Sequence, residues 1–161
     1  MQKLTPCLWF DKEAEAAADY YVSVFKDGKI LNKAYYGDSG AEVSGMPKGT
    51  LMTVTFELQG QKFMGLNGGP IFKFNEAVSF IVDCKDQEEV DYYWKQLSAG
   101  GEEGPCGWVK DKFGLSWQVV PTMMDELAED PDKVKVERMM KAMLSMKKLN
   151  IEELQRAFDG K

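Results

Sequence analysis

The sequence predicts an α+β fold of two βαβββ modules followed by C-terminal helices, and three observations carry that prediction. First, a shift of 72 residues lays Trp9-Phe10-Asp11 on Ile81-Val82-Asp83 and Asp19-Tyr20-Tyr21 on Asp91-Tyr92-Tyr93, with no gap between the matches. Each copy is a short apolar strand ending at an aspartate, then an amphipathic helix, which is the mark of an internal duplication. Second, both copies are followed by alternating stretches separated by glycine-containing turns. Third, a methionine-rich tail at helical spacing lies outside the repeat.

Taken in order, residues 4–10 read as a buried strand, with Asp11 placed to cap the next helix. That helix repeats Ala14, Ala17, Ala18, Tyr21 and Phe25 on one face and stops near Gly28. Residues 29–36 form a second strand, and the glycine- and serine-rich stretch 37–50 reads as a mobile loop. Residues 50–58 alternate as a strand, Gln59-Gly60 turns the chain, and 61–66 return as its hairpin partner. Asn67-Gly68-Gly69-Pro70 breaks the run and links the halves.

The second module opens at Glu76 with a strand over 77–82, and Asp86 with Glu89 signals a capping box. Val90, Tyr93, Trp94 and Leu97 make the buried stripe, and Gly100-Gly101 ends the helix. Short strands at 106–110 and 115–120 flank a turn at 111–114. In the tail, Asp130-Pro131 reads as a helix start with proline at the first helical position. Val136, Met139, Met140, Met143 and Met146 form its stripe; Asn150 and Glu153 open a last helix bearing Ile151, Leu154 and Phe158. The expected organisation is one domain over 1–128, with modules at about 1–70 and 76–122, and a helical extension over 129–161.

Composition narrows the chemistry. Twenty basic against 26 acidic residues give a net charge of −6, which opposes a nucleic-acid partner. No apolar run is long enough to span a bilayer, and residues 1–8 carry no signal-peptide pattern. Three cysteines without CxxC spacing suit a reducing, cytoplasmic setting. The chain has no histidine, which removes Ser-His-Asp and Cys-His nucleophile systems, the HExxH zinc site and imidazole acid–base work. Asn67-Gly68-Gly69-Pro70 lacks the spacing of a Walker or dinucleotide loop.

Four stretches bear a family resemblance: Thr5-Pro6-Cys7-Leu8-Trp9-Phe10, Gly65-Leu66-Asn67-Gly68-Gly69-Pro70, Phe72-Lys73-Phe74-Asn75-Glu76-Ala77-Val78-Ser79-Phe80 and Gly107-Trp108-Val109-Lys110-Asp111-Lys112-Phe113-Gly114-Leu115-Ser116-Trp117-Gln118. With 143–149 they run in order through nearly the whole chain. Together they resemble the PhnB-like branch, the 3-demethylubiquinone-9 3-methyltransferase domain, of the vicinal-oxygen-chelate (glyoxalase/bleomycin resistance/dioxygenase) superfamily. The resemblance implies two modules side by side, each curling its sheet into half of a cavity, and metal ligands on the first and last strands of each module where a metal is used.

Strand parity then directs Leu8 and Phe10 onto the helix and Thr5, Cys7 and Trp9 into the cavity. The 72-residue shift adds Ala77, Ser79 and Ile81 from the second half. The position of the family's usual glutamate ligand falls on Gln118, and its counterpart 54 residues earlier is Met64. Such a set has no imidazole or carboxylate, so the expectation is a lost metal site and no cofactor. Ile71 stands where relatives often carry a polar residue, commonly histidine, a departure that counts against branch chemistry using that position. Cys7 and Cys106, with no base beside them, are expected to pack inertly.

The expected function is a homodimeric small-molecule binder for an apolar or aromatic ligand, with Cys7, Trp9, Met64, Ser79 and Gln118 as its binding residues. The alternatives are a metal-dependent lyase or dioxygenase, a methyltransferase by family label alone, and a dimeric protein-interaction module. The methyltransferase reading lacks a Gly-rich adenosylmethionine site.

Overall fold

The computed structural model describes residues 3–161, and the chain gathers into two units divided between Phe74 and Asn75. The first unit runs β1 (Cys7–Phe10), α1 (Ala14–Val24), β2 (Lys29–Tyr35), α2 (Asp38–Ser44), β3 (Leu51–Leu58) and β4 (Gln61–Asn67). Its sheet has the order β1-β4-β3-β2, with β1 parallel to β4 and the remaining pairs antiparallel. The second unit runs β5 (Ser79–Cys84), α3 (Gln87–Ser98), β6 (Glu102–Glu103), β7 (Trp108–Lys110) and β8 (Ser116–Pro121), then α4 (Met123–Ala128), α5 (Lys133–Leu144) and α6 (Ile151–Asp159). Its sheet order, β5-β8-β7-β6, repeats that of the first. The duplicated βαβββ plan is therefore present in both units.

The helices α1 and α3 each cover one face of their own sheet. On α1 the small side chains of Ala14, Ala17 and Ala18 allow close approach, and Tyr21 stacks on Phe56, which stacks on Phe63. On α3 the buried residues are Val90, Trp94 and Leu97, while Tyr93 is only half-buried; Val82, Val109, Trp117 and Val119 are buried in the sheet of this unit. Asp86 accepts from Glu89 N at 2.9 Å, as the capping-box pattern requires, but the Glu89 carboxylate returns to Lys85 N. Gln59 and Gly60 both take positive φ, the twist a two-residue hairpin turn needs.

Three local expectations are corrected. Residues 37–50 are not wholly loop: α2 forms there, ends on left-handed Gly45, and is tied by the Lys48–Asp38 ion pair at 2.6 Å. It buries no residue, so no apolar periodicity marked it. Asp11 does not cap α1; the helix starts after Glu13, and Ala14 N donates instead to Asn67 Oδ1 at 2.8 Å. Pro131 lies before α5, whose cap is Asp132, accepting from Val134 N at 3.0 Å. In addition, α4 occupies a stretch that no sequence pattern assigns to an element.

The tail belongs to the second unit. Met139, Leu149, Leu154, Phe158 and Met124 form its core, with Val136, Met140, Met143 and Met146 packed around them. The methionine stripe thus fills the α5–α6 contact, where a flexible thioether side chain suits an irregular gap. Arg138 donates to the carbonyls of Ala157 and Phe158 at the end of α6, a favourable place for a cation. Cys106 N and Gly107 N donate to Met146 O and Lys147 O at 2.8 Å each, and Gln87 bridges Leu149 O and Ile151 N. The tail is bonded onto β7 and α3.

Candidate functional site

The face of each sheet turned away from its helix is where the expected site residues fall. In the first unit Leu8, Phe10, Val54, Phe56 and Phe63 are buried, so their neighbours in the strands point to the opposite face. Cys7 lies in register with Met64 and, across β4, with Thr55; Trp9 lies in register with Leu66 and Thr53. Cys7 is exposed and the other five are half-buried. Three of the expected residues, Cys7, Trp9 and Met64, are therefore brought together on one sheet face.

Trp9 is held rather than free. Its indole Nε1 donates to Gly69 O at 2.8 Å, and Phe72 meets it edge-on with ring centroids 4.9 Å apart. Gly68 lies under the ring, where an added Cβ would come within 2.2 Å of Trp9 Cζ2. This is the reason for glycine there, and a turn motif alone did not reveal it. Gly68→Ala is expected to turn the indole outward, costing about 1–3 kcal/mol as an overpacked contact does. Urea unfolding and the tryptophan emission of the folded protein check this; unchanged emission contradicts it.

In the second unit Ser79 and Gln118 meet directly: Gln118 Nε2 and Ser79 Oγ are 2.9 Å apart in a half-buried setting. Gln118 lies in register with Ile81 on β5 and with Trp108 on β7, which makes a row Ile81–Gln118–Trp108 across three strands. Trp117, its neighbour in β8, points the other way and is buried, with Nε1 donating to Asp111 Oδ2 at 2.8 Å. Lys110 is paired with Glu76 and lies 3.9 Å from Glu102. The hydrogen bond with Lys110 holds the Glu76 carboxyl below its ordinary range and, from the other side, holds the ammonium above its own.

The register corrects one equivalence. With Cys7 matched to Ser79, the partner of Cys7 is Met64 and the partner of Ser79 is Ser116. Gln118 therefore corresponds to Leu66, the partner of Trp9, and not to Met64. The offset of 54 residues is thus two too many for the last strands, where the hydrogen-bonded register sets the match.

The cysteines also sort differently from expectation. Cys84, not Cys7, is the packed thiol: it is fully buried, and desolvation pushes it up to about 12. A maleimide at pH 8 is expected to modify Cys7 while leaving Cys84 untouched until the protein is unfolded. Peptide mass spectrometry of native and denatured samples reads this directly, and native labelling of Cys84 contradicts it. Two residues that matter to the fold, Asn67 and Asp111, carry no local sequence sign of their bonding roles, because their partners lie on other elements or inside a turn.

Folds and faces of this kind define a duplicated βαβββ protein, and comparison with known proteins agrees. A family described as 3-demethylubiquinone-9 3-methyltransferase matches residues 2–120. The PhnB protein from Bacillus cereus is 32% identical, over 75% of this chain and 100% of that one, with a TM-score of 0.65. The chain belongs to this PhnB-like family. Protein PA1353 from Pseudomonas aeruginosa is 18% identical over 75% of this chain and 98% of its own, with a TM-score of 0.60. The fosfomycin resistance protein FosX from Listeria monocytogenes is 14% identical over 80% and 98%, with a TM-score of 0.53. Those last two are likenesses of fold. No curated protein sequence matches the chain. The family match ends before α4, so the three tail helices lie beyond it.

The superfamily's metal site can be tested on the donors present. Cys7, Met64 or Leu66, Ser79 and Gln118 offer one thiol, one thioether at most, a hydroxyl and an amide. Hard divalent ions call for oxygen anions, and zinc or iron for imidazole, thiolate or carboxylate. Desolvation raises the Cys7 thiol, which opposes the thiolate a metal would need. Among the described residues no three His, Cys, Asp or Glu side chains gather as a metal-holding group. These residues do not fit the metal. No described helix is long and apolar enough to cross a membrane.

Proposed function

We propose that this PhnB-like protein binds a small apolar or aromatic molecule on the helix-free faces of its sheets, without a resident metal ion. The observation that carries the reading is the Ser79–Gln118 hydrogen bond at 2.9 Å. A neutral hydroxyl–amide pair set beside Ile81 and Trp108 is a polar handle next to large apolar side chains, a combination that small-molecule sites use. Cys7, Trp9 and Met64 offer a second apolar surface on the first unit. Trp9 contributes ring area only, since its N–H is spent on Gly69.

A thermal-shift panel of small aromatics, quinone analogues and antibiotics tests this. A ligand present at a hundred times its Kd adds about 2.7 kcal/mol of stability, or roughly 5–10 °C in Tm for a chain of this size. The shift should shrink in Gln118→Leu. Tight stoichiometric zinc, nickel, manganese or iron in the purified protein would overturn the metal-free part of the reading. Adenosylmethionine binding by calorimetry would favour a methyltransferase instead.

A further inference from the structure

Trp108 is the one tryptophan whose indole N–H is left over. The chain has four tryptophans. Trp9 donates to Gly69 O, Trp94 to Glu103 Oε1 at 3.0 Å and Trp117 to Asp111 Oδ2. Among the described residues Trp108 Nε1 has no hydrogen-bond partner, although the residue is half-buried in β7. A part-buried indole N–H ordinarily finds an acceptor, so one without a partner in the protein is a donor held ready. Register sets Trp108 directly beside Gln118 on the same sheet face.

Gln118 adds the complementary group. Its amide and the Ser79 hydroxyl satisfy each other once, which leaves a carbonyl oxygen and a hydroxyl proton, or their equivalents with the amide turned over. Within one face the protein thus presents an indole donor, an amide acceptor and a hydroxyl, flanked by the exposed side chain of Ile81. No group in this row carries charge. The nearby cation on β7, Lys110, is already paired with Glu76. An anionic ligand would lose its hydration here without gaining a free counter-charge.

From this arrangement we infer that Trp108 is a specificity-determining residue, and that the ligand is a neutral, planar molecule bearing a carboxamide- or lactam-type edge. Its carbonyl accepts from Trp108 Nε1, its N–H donates to Gln118, and its ring lies along Ile81 and the indole. The inference rests on the small-molecule reading above and narrows it: carboxylates, phosphonates and other anions are the wrong class for this face.

The test uses three probes of one ring system, 2-naphthamide, 2-naphthoate and naphthalene, titrated into the full chain while its indole N–H resonances are followed by NMR. Trp108→Phe, which keeps an aromatic ring and removes the donor, assigns one of those resonances and serves as the variant. The expected result is that 2-naphthamide moves the Trp108 resonance and binds about tenfold more tightly than the other two probes, as one or two neutral hydrogen bonds allow. That margin should vanish in Trp108→Phe and in Gln118→Leu. If naphthalene binds as well as the amide, the small-molecule reading stands and this inference falls. If 2-naphthoate binds best, or only the Trp9 resonance moves, the inference again falls alone. If none of the three binds, it falls while the earlier ligand panel decides the broader reading.

Discussion

Asn67→Ala is expected to lower the unfolding free energy by about 2–4 kcal/mol, because it strands buried backbone groups in two places at once. Asn67 is 4% exposed. Its Oδ1 accepts from Ala14 N at 2.8 Å, its Nδ2 donates to Leu51 O at 3.2 Å, and its own carbonyl accepts from Tyr36 Oη at 2.5 Å. The side chain therefore caps α1 and closes the start of β3, while the residue's own carbonyl fixes the end of β4, whose Met64 and Leu66 line the candidate face. Alanine removes both side-chain bonds, and no water replaces them cheaply at that depth. Tyr36→Phe removes only the third bond and should cost about 1 kcal/mol. Urea denaturation of the two variants gives the comparison, and an Asn67→Ala protein within about 0.5 kcal/mol of the parent refutes it.

The contrast between Asn67 and Asp86 shows what sequence could reveal. Asp86 caps α3 from its own chain neighbourhood, with Glu89 three residues on, and that spacing is written in the sequence. Asn67 does the same work for α1 from 53 residues away, and in sequence it looks like the first residue of a turn. Strand parity was equally legible: Leu8 and Phe10 are buried while Cys7 and Trp9 lie on the other side, because a period of two follows from backbone geometry alone. Register was not legible, since it is set by pairing between strands far apart in sequence, and the matching of Gln118 to Met64 failed for that reason. The pairing of Ser79 with Gln118 is a non-local contact that resemblance could suggest and only coordinates could show.

The second unit holds its last strand by a different device, and Asp111→Ala is expected to be the most damaging single change there. Asp111 is 2% exposed; Oδ1 accepts from Phe113 N at 2.8 Å and Leu115 N at 3.1 Å, and Oδ2 from Trp117 Nε1 at 2.8 Å. The carboxylate thus shapes the β7–β8 turn and anchors the residue next to Gln118. Its removal leaves two backbone donors and an indole N–H unpaired, a loss of about 3–5 kcal/mol at the rates for hydrogen bonds to a buried charged group. A structural role alone does not say which bond dominates. In Asp111→Asn one oxygen can still serve the turn, but the amide nitrogen then faces the indole N–H, donor against donor. Trp117→Phe removes that clash, so Asp111→Asn with Trp117→Phe should be more stable than the two single losses sum to, by about 1 kcal/mol. Strict additivity would instead place the whole effect in the turn.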